Sequence, residues 1–187
     1  LRREYAVPSS RVYAIGSSNG GNMALRMSIE RPDTITAAAA IVASMPARSE
    51  CAAPTRFVPI LFMNGTDDPL MPFTGGRVGK GNHARGKVLS TEASLGLWAR
   101  LAGESGAPSR SMLPDLASND GSRAIREVHA QRNGRPLVML YRIEGGGHLE
   151  PSRAERYPRW LARLLGHQNG DVEMADEIWA FFVAQPG

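Results

Sequence analysis

The run Gly16-Ser17-Ser18-Asn19-Gly20-Gly21 constrains this chain more than any other stretch. It follows an apolar, β-rich run, Val12-Tyr13-Ala14-Ile15, and precedes a helix-like run, Asn22-Met23-Ala24-Leu25-Arg26-Met27. Its first five residues fit G-x-S-x-G, in which a strand turns sharply into a helix and lifts a serine hydroxyl above the sheet edge. That reading puts Ser18 in a strained backbone conformation and turns Ser17 away into the strand packing. Gly16 and Gly20 lie two residues either side, where a Cβ would collide as strand and helix pack together. The helix N-terminus then aims its free N–H groups at a reacting carbonyl. A Gly/Ser-rich loop would show the same letters; the flanking strand and helix patterns favour the elbow.

The rest of the chain reads as alternating strands and helices. Residues 1–5 read as the end of a helix, and 7–10 as the loop leaving it. The elbow helix runs to about Glu30, where Arg31-Pro32-Asp33 stops it. Residues 36–43 are apolar throughout and read as a buried parallel strand. Residues 44–56, with Pro46 and Pro54, are loop-like. Residues 57–63, F-V-P-I-L-F-M, form a clear buried strand that ends in Asn64-Gly65-Thr66-Asp67-Asp68-Pro69-Leu70-Met71-Pro72. Turn residues at a strand's C-terminal end mark where open α/β sheets bind ligands.

Residues 74–86 read as a mobile Gly-rich loop, and 90–102 as an amphipathic helix capped at Ser90 with Leu97, Trp98 and Leu101 on one face. Residues 103–123 are a polar connection. Strands over 124–130 and 137–143 are joined by Arg132-Asn133-Gly134-Arg135. The second ends at Glu144-Gly145-Gly146-Gly147-His148. A last amphipathic helix over 171–183 uses Met174, Ile178, Trp179 and Phe182. This alternation predicts one doubly wound α/β unit with a mainly parallel sheet.

Composition narrows the function. A chain of 187 residues suits one domain with a sizeable core. Its 42% hydrophobic and 21% charged content is that of an ordinary globular domain. No apolar run is long enough to cross a bilayer as a helix. The formal charge of +4 comes from scattered arginines with no basic block. That argues against a nucleic-acid partner and leaves acidic surfaces or anionic substrates open. Cys51 is the only cysteine, so the chain holds no internal disulfide. There is no paired His/Cys spacing for zinc and no G-x-G-x-x-G, so neither a metal nor an organic cofactor is expected.

Three strand ends carry the chemistry. Ser18 follows the first, Asp67-Asp68 the second and His148 the last. A serine hydroxyl is a weak nucleophile at neutral pH. It needs an imidazole to take its proton, and the imidazole needs a carboxylate to fix its tautomer and stabilise its charged form. The order Ser, Asp, His is the one in which nucleophile, acid and base follow one another on the α/β-hydrolase fold. The glycines at 145–147 let the backbone swing the His148 ring over the sheet edge, a context that His83, His129 and His167 lack. Asp67 and Asp68 are both ordinary turn residues, and one of them need be no more than that.

The motifs V-Y-A-I-G-S-S-N-G-G-N-M-A, N-G-T-D-D-P-L-M-P and E-G-G-G-H resemble the polyhydroxybutyrate depolymerase and feruloyl esterase group, carbohydrate esterase family 1 in the broad sense. Leu97-Trp98-Ala99 and the ending Ile178-Trp179-Ala180-Phe181-Phe182 are also similar to that group. The acid loop of the group reads G-T-x-D-P-x-V-P, which makes Asp68 the catalytic carboxylate and Asp67 the variable position. The resemblance implies a secreted or envelope serine esterase of the α/β-hydrolase fold, acting on hydroxyacyl polyesters or on plant-wall feruloyl and acetyl esters. The base motif of the group commonly continues G-G-G-H-T-W-P. Here Leu149-Glu150-Pro151 follow His148, so the aromatic that would line the cleft is absent.

The expected reaction is ester hydrolysis. Ser18 attacks the carbonyl, His148 relays the proton to the leaving alkoxide, Asp68 orients His148, and water cleaves the acyl-enzyme. The Asn19 backbone N–H is the oxyanion donor that can be named. Met71, Leu149, Tyr157 and Trp160 are the candidate cleft-lining residues. A peptidase or acyltransferase on the same fold is an alternative, as is a non-catalytic binding protein that keeps the fold. Arg153, Arg156, Arg159 and Arg163 have near-helical spacing; they read either as a solvated helix face or, with Tyr157 and Trp160, as a flap beside the base loop.

The elbow lies within twenty residues of Leu1. In a doubly wound hydrolase several strands precede it, and a loop among them supplies the other oxyanion donor. Residues 1–187 therefore read as the C-terminal portion of one catalytic domain. Upstream polypeptide beside the elbow strand is expected, in the same parent chain or as a separate fragment. Loss of one oxyanion donor costs ~2.7–4 kcal/mol, so these residues alone should be nearly inactive.

Overall fold

The computed structural model describes residues 4–5, 11–51, 53–54, 56–79, 81 and 85–186. The helix end expected over 1–5 and the loop over 7–10 lie outside the described residues, except for Glu4 and Tyr5, which form a turn. In chain order the elements are β1 (Tyr13–Ser17), α1 (Asn19–Glu30), β2 (Ala37–Ile41), β3 (Ile60–Gly65), β4 (Gly76–Val78), β5 (Arg85–Val88), α2 (Thr91–Leu101), β6 (Ser109–Met112), β7 (Arg123–Arg132), β8 (Arg135–Glu144), α3 (Arg159–Leu165) and α4 (Met174–Val183).

Six strands make one sheet in the order β1-β2-β3-β8-β7-β6. The first four run parallel, and β7 and β6 add antiparallel. The continuous apolar runs of β2, β3 and β8 follow from burial on both faces. Ala38, Ala40, Ile60, Phe62, Val138 and Leu140 pack beneath Leu25 of α1 and Leu95 and Trp98 of α2. Their neighbours one position on, such as Ala39, Leu61, Met63 and Met139, pack against Ile178, Phe181 and Phe182 of α4 on the other face. Residues 37–40 are alanines with no exposed surface. β1 is an edge strand whose outer side pairs with no strand among the described residues. Tyr13 on it stacks on Phe182 at 4.6 Å between ring centroids.

The sequence reading needs several corrections. The Gly-rich stretch 74–86 holds β4 and the start of β5, which form a two-stranded antiparallel ribbon. The polar connection 103–123 holds β6, whose four residues are all exposed; an edge strand with no buried face shows no apolar alternation. Asn133 and Gly134 both have positive φ (52° and 75°), so a two-residue turn closes a hairpin longer than expected. Only residues 159–165 of the arginine-rich stretch are helical. The buried face of α2 centres on Leu95 and Trp98, with Leu97 and Leu101 at its margin. In α4 it is Phe181 that is buried, whereas Trp179 is 61% exposed and meets the Tyr13 ring edge-on.

Candidate active site

Ser18 sits between β1 and α1 with φ 53° and ψ −117°, a region that non-glycine residues rarely occupy. Its N–H donates to the Ile41 carbonyl at 2.8 Å, and its carbonyl accepts from Asn22. A Cβ on Gly16 would lie 2.1 Å from the Gly20 backbone, so strand and helix approach too closely for any side chain there. Gly20 itself has open space where a Cβ would go. Gly21 is the other close contact, its Cβ position 2.6 Å from that of Ala43. The expectation for Gly20 is thus corrected: its backbone, not its missing side chain, makes the contact.

The three expected side chains meet. His148 Nε2 lies 2.8 Å from Ser18 Oγ, and His148 Nδ1 lies 2.7 Å from Asp68 Oδ2. The other Asp68 oxygen accepts from the Leu70 and Met71 N–H groups, both at 2.8 Å. Three contacts fix the carboxylate, and its side chain is only 2% exposed. Asp67 is exposed and accepts from its neighbour Thr66, away from the imidazole.

The loops that carry acid and base are stitched together. Gly145 N–H donates to Thr66 Oγ1 at 2.9 Å, and Asp67 N–H donates to the Gly146 carbonyl at 2.9 Å. Gly145 has φ 72°, the conformation that turns the chain out of β8. Behind this loop, Gly147 N–H donates to the His167 carbonyl at 2.8 Å and His148 N–H to the Leu165 carbonyl at 2.6 Å. A Cβ on Gly147 would stand 2.0 Å from the Leu165 oxygen. The end of α3 therefore braces the base loop, a role the sequence did not signal. Beneath the acid loop, buried Asn64 exchanges hydrogen bonds with both the N–H and the carbonyl of Ala43 and donates to Thr91. This ties the ends of β2 and β3 to α2.

Two clefts flank Ser18. One, of about 530 Å³, is lined by Ser18, Asn19, Asn22, Leu70, Met71, Arg85, Lys87 and His148 among others. The other, of about 470 Å³, lies along the outer edge of β1 and is lined by Ile15, Ser17, Glu150, Arg156, Tyr157 and Met174 among others. Of the expected lining residues, only Met71 borders the cleft that contains Ser18. Tyr157 lies in the second cleft and donates to Glu150 at 2.8 Å. Leu149 is buried and Trp160 is 61% exposed; neither lines either cleft.

Ser17 is also corrected. It does not face into the strand packing but donates to the Glu150 carboxylate. Burial pushes the Glu150 carboxyl up, but hydrogen bonds, from Ser17 above all and also from Tyr157, outweigh it and hold the pKa below the usual carboxylate value. Glu150 was legible only as a departure from the pattern of the group that the motifs resemble, and Arg85 and Lys87 gave no signal at all.

One group of side chains among the described residues has the spacing to hold a metal ion: Glu92, Glu127 and His129, with ligand atoms within 4.8 Å of one another. It lies on β7 and α2, and both Glu127 oxygens are already engaged. Arg142 and Arg110 meet Oε1 at 2.7 and 3.1 Å, and His129 meets Oε2 at 3.0 Å. A dication there would face two guanidinium groups, so the donor set suits an ion-pair network rather than a metal.

With this geometry in view, the relatives can be placed. The chain is 32% identical over 183 residues to a protein described as "Putative esterase NocK" from Nocardia uniformis subsp. tsuyamanensis. The chain is related to a protein named as an esterase. The aligned part is 95% of this chain and 52% of that protein, so the chain spans about half the length of the curated relative it matches. Among solved structures it is similar to an acetyl xylan esterase from Aspergillus awamori, with a TM-score of 0.54 and 13% identity over 98% of this chain and 63% of that one. At that identity the likeness speaks for the α/β fold alone. No protein-family model matches the chain.

Proposed function

We propose that residues 1–187 form the catalytic part of a serine carboxylic-ester hydrolase of the α/β-hydrolase fold. The observation that carries this reading is the continuous path from Asp68 Oδ2 through both nitrogens of His148 to Ser18 Oγ, at 2.7 and 2.8 Å. The path joins three loops at the C-terminal ends of β3, β8 and β1. Ser18 is the nucleophile. Its proton passes to His148 Nε2 as Oγ attacks the ester carbonyl, and Asp68 holds the proton on Nδ1. His148 then protonates the leaving alkoxide. Water, deprotonated by the same imidazole, frees the acid and restores Ser18.

The oxyanion that forms on the carbonyl needs preorganised donors. Asn19 opens α1 beside Ser18 and borders the cleft, so its N–H is the assigned donor. We assign the second donor to polypeptide paired along the free edge of β1. The esterase-named relative supports ester hydrolysis over amide hydrolysis or acyl transfer. The likeness of the motifs to polyester depolymerases and feruloyl esterases makes polyesters and wall-polymer esters the natural first substrates to try. The test is the hydrolysis of para-nitrophenyl butyrate by the wild type and by Ser18→Ala, each with the polypeptide that pairs along β1 present. Turnover that falls at least a thousandfold in the variant supports the reading. Turnover that survives the substitution refutes it.

A further inference from the structure

We propose that the cleft at Ser18 selects esters bearing a carboxylate, and that Arg85 and Lys87 of β5, with Arg77 of β4, recognise that charge. This rests on the hydrolase reading of Ser18 and names a substrate class for the same site.

The walls of the cleft carry the first observation. Arg85 and Lys87 line the same cleft as Ser18 and His148, and no carboxylate lines it. A second hollow of about 530 Å³ shares Pro46, Gly86 and Lys87 with it and adds Arg48 and Arg77. No carboxylate lines that hollow either. Asp68 lies close by, but its charge is held by two backbone N–H groups and His148 rather than by these cations. Among the described residues none of the four cations forms an ion pair, although pairs do form elsewhere, as at Arg110, Arg123 and Arg142, and several other arginines are likewise unpaired.

The ribbon itself carries the second observation. Arg77 and Lys87 are register partners on antiparallel strands, directly opposite each other. Like charges in that position are destabilising, and among the described residues no carboxylate pairs with either to offset the cost. An anion between them would. The ribbon is also well anchored. Ala47 N–H donates to the Lys87 carbonyl at 2.9 Å, Leu89 N–H to the Met45 carbonyl at 2.8 Å, and Gly79 N–H to the Leu70 carbonyl at 2.7 Å. Leu70 in turn donates to Asp68. The cations are therefore carried on a backbone fixed to the acid loop, and a carboxylate bound to them holds the ester at a set distance from Ser18. A neutral ester gains nothing from this arrangement.

The test compares esters that differ by one charge. Mono-para-nitrophenyl glutarate and para-nitrophenyl pentanoate differ by a carboxylate in place of a methyl group on the acyl side. Para-carboxyphenyl butyrate and para-methylphenyl butyrate make the same change on the leaving group. Equilibrium binding is measured on Ser18→Ala, so that no ester turns over. At low ionic strength the anionic member of at least one pair should bind about tenfold tighter. That preference should fall towards unity when Arg85→Gln and Lys87→Gln are added, and shrink in about 1 M salt. Arg77→Gln, on the opposite strand, should reduce it as well. Equal affinity within both pairs, or a preference that none of these substitutions moves, overturns the proposal. Turnover of para-nitrophenyl butyrate, measured with the polypeptide that pairs along β1 present, reports separately on the hydrolase reading. Its absence beside an intact charge preference would sink that reading and leave the anion site standing.

Discussion

The Ser17 hydroxyl donates to the Glu150 carboxylate, which joins the residue before Ser18 to a residue two positions after His148. The elbow and the base loop are thus tied by a contact that does not pass through the reacting atoms. Glu150 also accepts from Tyr157, so one carboxylate links β1, the base loop and the segment leading to α3.

Removal of this tie should loosen the site without abolishing it. Ser17→Ala should cost about 2 kcal/mol of stability at neutral pH, the scale of a hydrogen bond to a charged group. The Glu150 pKa is depressed in the fold. Its contribution is therefore complete above the ordinary carboxylate pKa and is lost as pH falls through the depressed value. Denaturant unfolding of wild type and variant should accordingly converge in acid. Esterase activity should fall by less than tenfold, and a loss as large as that of Ser18→Ala would show that the two serines have been assigned in the wrong register.

The two elbow glycines should behave oppositely. Gly16→Ala places a Cβ 2.1 Å from the Gly20 backbone, which neither β1 nor α1 can relieve without moving Ser18. It should abolish activity and destabilise the fold by several kcal/mol. Gly20→Ala meets open space within α1 and should be neutral or stabilising by up to about 1 kcal/mol. Thermal unfolding of both variants checks the contrast.

Much of the site was legible because its residues sit at the ends of strongly apolar strands. Turn-forming residues after an apolar run locate a β-strand's C-terminal end whatever the tertiary context, and Ser18, Asp68 and His148 all occupy such positions. What failed to read through depended on long-range partners. β6 is exposed at every residue and carries no period. β4 and β5 are short and interrupted by glycines with positive φ, so their cations looked like loop charges. The arginine spacing after His148 suggests one helix, yet only Arg159 and Arg163 lie in α3, and Arg156 donates to the Ser152 and Gln168 carbonyls instead. In α4 the sequence period puts Trp179 and Phe182 on the apolar face; Phe182 does stack on Tyr13, but Phe181 is buried beside it and Trp179 stays outside.

The adjacent acids should separate cleanly. Asp68→Asn keeps the contacts to Leu70 and Met71 but favours the wrong His148 tautomer, so the turnover number should drop about 10⁴-fold. Asp67→Asn alters an exposed side chain that meets only Thr66 and should change turnover by less than threefold, roughly the reach of a surface substitution of ±0.5 kcal/mol. Equal losses in steady-state kinetics would mean that neither acid orients the imidazole.

Glu127 should dominate acid stability. Burial pushes its carboxyl up, but hydrogen bonds from His129 and Arg142 and the charges of Arg142 and Arg110 more than offset this and bring its pKa down to about 2. A depressed carboxylate stabilises the fold fully above its unfolded pKa, and the benefit disappears as pH falls towards about 2. Glu127→Gln leaves Arg142 and Arg110 facing a neutral amide and should cost about 3–5 kcal/mol at pH 7. The loss should narrow steadily in acid, which unfolding curves measured across that pH window would detect.

The assignment of Ser18 as nucleophile is tested most directly by mass spectrometry after exposure to a fluorophosphonate. One adduct on the peptide that contains Ser18 is expected, lost in Ser18→Ala, retained in Ser17→Ala and greatly slowed in His148→Ala. An adduct on Ser17 or elsewhere in the chain, or labelling that persists in Ser18→Ala, would contradict it.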